Sequence, residues 1–64
     1  MTIIAQIIDT DSLENGDFVA FKRGDKEFAG VFREFNDNGE LDVEVIALGG
    51  IVSVAHEIVT DILA

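Results

Sequence analysis

The segment Phe35 to Val45, "FNDNGELDVEV", sets Asn38-Gly39 in front of residues that alternate apolar and acidic. Asn-Gly next to a period-two pattern is a strong hairpin signal, because the turn needs left-handed backbone angles that asparagine and glycine tolerate. Similar breaks recur. "LENGDF" precedes the apolar run Phe18-Val19-Ala20-Phe21, "RGDK" precedes Phe28, and "LGGIV" follows Leu48. The runs between these breaks are strand-sized. A chain cut this way points to a small all-β meander.

Turn geometry fixes the expected registers. A two-residue Gly24-Asp25 turn pairs Lys22 with Glu27 and Phe21 with Phe28. A three-residue loop, Asp37-Asn38-Gly39 with Gly39 left-handed, sets Phe35 opposite Leu41 and Glu34 opposite Asp42. Strict alternation then sets Arg33 opposite Val43 and Val31 opposite Val45, with Leu41, Val43 and Val45 as one apolar stripe. Gly30 interrupts the long strand, where a kink or bulge would let it bend and serve both halves of a barrel. "GIVSV" reads as a strand over 51–55, followed by a helical turn near His56 to Ile58 and a short strand to Leu63. The apolar pairs Val54-Ala55, Ile58-Val59 and Ile62-Leu63 also fit a C-terminal helix, giving an α+β alternative. "TIIAQII" at residues 2–8 reads as a further strand that could close the sheet against residues 59–63.

The expected fold is therefore all-β: a five-stranded, SH3-like small barrel with one short helical turn near the C-terminus, in a single domain spanning residues 1–64. "VAFKRGDKEFAGVFREFND" and "VSVAHEIVTDI" resemble the strand-turn-strand segment and the closing segment of the Sm/Hfq-like group. The resemblance rests on the order of elements and on Gly30, Val31 and Asp37 after the turn. It implies ring assembly and RNA binding. The lysine that can precede the closing histidine in that group is replaced here by Ala55, and Glu57 follows His56.

Composition narrows the function. The chain has no cysteine, so disulfides and Cys-rich zinc sites are excluded, and it has a single histidine. His56-Glu57 lacks the second histidine of a zinc-protease helix, since position 60 is Thr60. Ser53 and His56 lack a third catalytic group, and "ALGGIV" lacks the lysine of a phosphate-binding loop. The expectation is a non-enzyme with no cofactor and no metal. The longest uncharged stretch beyond the N-terminal run is Val45 to Ala55, too short to cross a bilayer, which needs about 20 residues. A cytoplasmic protein with no membrane partner is expected.

Net charge is −9. All four basic residues, Lys22, Arg23, Lys26 and Arg33, lie in residues 22–33, beside Asp25 and Glu27; the rest of the chain holds eleven acids and no base. That balance repels nucleic-acid phosphates and argues against a nucleic-acid partner. The expected function is a non-catalytic binding or assembly module acting through protein–protein contacts, with a protein partner or copies of itself. Phe21, Phe28 and Phe32 would supply apolar contact, and Lys22, Arg23, Lys26 and Arg33 would meet an acidic surface. Glu34, Glu40, Asp42 and Glu44 would form an acidic face, which another copy could offer to the basic segment. The alternatives are an Sm-like RNA-binding ring protein and an acidic DNA mimic that inhibits a nucleic-acid-binding protein.

Overall fold

The computed structural model describes residues 9–63. Their strands are β1 (Phe18–Arg23), β2 (Lys26–Phe35), β3 (Leu41–Val45), β4 (Gly50–Val54) and β5 (Val59–Ile62). Short 3-10 turns occupy Thr10–Ser12, Ile46–Leu48 and His56–Ile58. The five strands form one antiparallel sheet in the order β4-β3-β2-β1-β5. The sheet is not closed by hydrogen bonding: β4 and β5 are its edges among the described residues. The expected closing strand at residues 2–8 lies outside the described residues. The C-terminal alternative resolves in favour of a turn followed by a strand. Residues 59–62 pair antiparallel with β1, and a register shift there lets Val59 and Ile62, three residues apart, both face the core.

Both hairpins follow their turn chemistry. Gly24 has φ +63° while Asp25 does not have positive φ, the pattern of a type II′ turn, and Phe21↔Phe28 and Lys22↔Glu27 pair across it. The two phenylalanine rings stack at 5.7 Å. In the second hairpin Gly39 is left-handed at φ +77°, and Asn36 Oδ1 accepts the backbone N–H groups of Asn38 and Glu40. Phe35 faces Leu41 and Glu34 faces Asp42, as the turn requires.

Beyond that point the expected register fails. Phe32, not Arg33, faces Val43, and Val31 faces Glu44 rather than Val45. Arg33 is a bulge residue, so the strand's inner and outer sets change places there. Burying Phe32 beside Val43 removes far more apolar surface from water than burying an arginine stem would. The preceding loop braces the bulge. Phe32 N–H donates to Asp17 O, Phe32 O accepts from Gly16 N–H, and Asn15 Nδ2 donates to Arg33 O.

Gly30 is not the bulge. It pairs in register with Val19, and a Cβ there would lie 2.5 Å from Glu44 O and 2.8 Å from Val43 and Val45 side-chain carbons. Its missing side chain lets β3 cross close over β2. The core thus gathers Val19, Phe21, Phe32, Leu41, Val43, Val45, Val54 and Val59 on the inner face, with Leu13 from the N-terminal loop.

Candidate functional site: the outer face of the sheet

Strand alternation decides which side chains remain outside. In β1, Val19 and Phe21 point inward, so Phe18 points outward and is 52% exposed. In β2, Gly30 and Phe32 are buried, which turns Ala29 and Val31 outward. In β3, Leu41, Val43 and Val45 are buried, which turns Asp42 and Glu44 outward. In β4, Ile51 and Ser53 face out, and Ile51 is 60% exposed. The pairings align Phe18, Val31, Glu44 and Ile51 as one row across four strands of the outer face.

Beside this row, the turn after β3 leaves Ile46 93% exposed. Phe18, Ala29, Val31, Ile46 and Ala47 form the apolar wall of an open groove of about 300 Å³. The Arg33–Glu44 pair forms its polar rim. Arg33 Nε and Nη2 both donate to Glu44 Oε1, at 2.9 and 2.7 Å, and Nη1 reaches Asn15 Oδ1 at 3.4 Å. This is the ion pair among the described residues. Both side chains are about two-fifths exposed, so the contact adds modest stability and chiefly fixes the groove's edge.

The four acids of the expected acidic face do share the outer face. Glu34 and Asp42 are directly opposite, Glu44 is two residues on, and Glu40 adjoins Ser53 of β4. Three of the four, Glu40, Asp42 and Glu44, have a polar partner. Asn36 Nδ2 donates to Asp42 Oδ1 and Ser53 Oγ, Ser53 Oγ donates to Glu40 Oε1, and Arg33 holds Glu44. Among the described residues no group of three His, Cys, Asp or Glu side chains is placed to hold a metal ion.

The expected aromatic-basic contact surface requires correction. Phe21 is 0% and Phe32 2% exposed, and Phe28 packs against the same core. Phe21 and Phe32 are enclosed and offer no face to a partner or a base, while Phe28 is half-buried. Arg33 is also separated from the other cations, lying seven residues beyond Lys26 along β2 and engaged with Glu44. Lys22, Arg23 and Lys26 do sit together, exposed at the β1–β2 tip, interleaved with Asp25 and Glu27. The sequence reading missed Phe18, Ile46 and Ile51. The parity of Phe18 against Phe21 was the signal for the first. The uncharged run from Val45 to Ala55, used only to exclude a membrane span, was the signal for the others.

His56 is structural. Its Nε2–H donates to Gly39 O at 2.8 Å, and in the neutral ring the hydroxyl of buried Thr10 donates to Nδ1 at 2.6 Å. The ring also stacks on Phe35 at 5.7 Å and 6°. Ser53 and His56 have separate partners and form no nucleophile–base pair.

Comparison with protein-family models, with curated proteins and with solved structures finds no match. No helix among the described residues is long and apolar enough to cross a membrane.

Proposed function

We propose that this protein is a non-catalytic binding and assembly module that contacts a protein partner, or further copies of itself, through the outer face of its sheet. The observation that carries this reading is the exposure of Phe18, Ile46 and Ile51 on that face, the first two lining an apolar groove, while the core closes without them. Fully burying one such side chain contributes roughly 1.5–3 kcal/mol. Three on one face supply a driving force for association that folding has left unused. Large exposed apolar patches on small domains mark contact surfaces. The SH3-like, Sm/Hfq-like resemblance belongs to the same reading, since assembly through small barrels requires no catalytic group. The absence of cysteine suits a reducing, cytoplasmic setting.

The test is affinity capture from the source cell with native mass measurement of what is recovered. It compares the wild type with a Phe18→Thr/Ile46→Ser/Ile51→Thr variant. The expected result is a complex or oligomer with the wild type and a bare monomer with the variant, at unchanged circular dichroism. Retention of every contact by the variant would overturn the proposal.

A further inference from the structure

We infer that the occupant of the outer-face groove is a basic segment of a partner protein, in which one apolar anchor side chain is flanked by lysine or arginine. The inference rests on the outer face being the contact surface and adds the chemistry of what it contacts. Size speaks first. Small-molecule pockets run from about 300 to 1,000 Å³. At about 300 Å³ and open to solvent, this groove suits a single large side chain better than an enclosed cofactor.

Charge then selects among macromolecular occupants. Around the groove's Arg33–Glu44 rim the outer face carries Glu34, Glu40, Asp42 and Glu44 against Arg33, a local net charge of −3 (four acids less one base), while Lys22 and Glu27 pair with each other farther along β1 and β2. Arg33 spends both of its strong contacts on Glu44 Oε1, and among the described residues no hydrogen bond engages Glu44 Oε2. An apolar anchor seated on Val31 and Ile46 would place a neighbouring ammonium or guanidinium group beside that second oxygen. A nucleic acid brings phosphates to an acidic face. A second copy brings net charge −9, and its exposed cations at the β1–β2 tip are interleaved with Asp25 and Glu27. A basic protein segment satisfies both the apolar wall and the acidic rim.

The experiment uses the whole protein and two dye-labelled nine-residue peptides. Each has a central Leu-Trp pair, flanked in one by lysines and in the other by glutamates, with binding read by fluorescence anisotropy at about 50 and 300 mM salt, where screening lengths differ about twofold. The lysine peptide is expected to bind, to weaken several-fold at the higher salt, and to lose at least threefold in affinity with Ile46→Ser and again with Glu34→Lys. Both positions are exposed and outside the core. The glutamate peptide is expected not to bind. Equal binding of the two peptides, no binding of the lysine peptide, or indifference to Ile46→Ser would overturn the inference. So would a wild-type dimer that Ile46→Ser dissociates without any peptide, since the occupant would then be a second copy. If Ile46→Ser abolishes capture of a cellular partner while the lysine peptide fails to bind, the outer face stands as the contact surface and the basic-segment inference falls.

Discussion

At Gly30 the requirement is space, not backbone freedom. A methyl group added there would meet Glu44 O first, because β3 crosses at that point, and a backbone carbonyl cannot swing aside as a side-chain tip can. Gly30→Ala is expected to destabilise by about 1–3 kcal/mol, read as a lower urea midpoint at unchanged slope. His56 joins three segments: the Thr10 turn, the Gly39 loop and its own 3-10 turn. His56→Ala leaves the buried Thr10 hydroxyl without its partner, and the expected loss is about 1–3 kcal/mol. A Thr10→Val/His56→Ala double variant should recover part of it, because no buried hydroxyl is then orphaned and the exposed Gly39 O can bond to water. Additive losses would show that the two side chains act independently. The sequence marked Gly30 as special but not why. It could not show which of Phe32 and Arg33 would pass to the core, because that choice depends on the loop at Asn15 to Asp17 coming back to brace the bulge.

At the level of elements, local chemistry was the legible part. Gly24 and Gly39 dictated both hairpins, and the registers next to each turn followed. Gly24→Ala forces a Cβ into the left-handed region and should cost about 1–2 kcal/mol, with the same effect in unfolding experiments whether or not the basic tip binds anything. The choice between strand and helix at residues 59–62 was not legible. The apolar spacing suited both, and pairing with β1 at Val19, Ala20 and Phe21 decided it. The faces of β1 and β4 were legible in principle from parity alone, yet composition drew attention to the aromatic residues near the basic tip. Phe21 and Phe32 left that surface because both lie on the inner face, Phe32 by the shift of register at Arg33 that sets it beside Val43.

β4 has a further property as an element. It is the one described strand without a charged residue, and it stands at the sheet edge. Edge strands are commonly guarded by charge or proline. Ile51→Lys supplies a guard at an exposed position, so the fold should persist while any concentration-dependent association detected by light scattering declines. Undiminished association would exclude the β4 edge from it.

Across the whole molecule, the exposed isoleucines lie with the acids of the outer face and apart from the basic tip. Three cations occupy the β1–β2 tip, the acids of β2 and β3 crowd the outer face, and the exposed isoleucines border those acids. On the proposed reading this outer face, and not the basic tip, is where the protein is contacted. Isoleucine methyl resonances distinguish the two surfaces, because Ile46 and Ile51 lie on the outer face while Ile58 and Ile62 pack against the core. On addition of the captured partner, the Ile46 and Ile51 methyl signals are predicted to shift, with Ile58 and Ile62 unmoved. Saturable binding that leaves Ile46 and Ile51 unmoved would put the contact elsewhere and refute the assignment of the outer face.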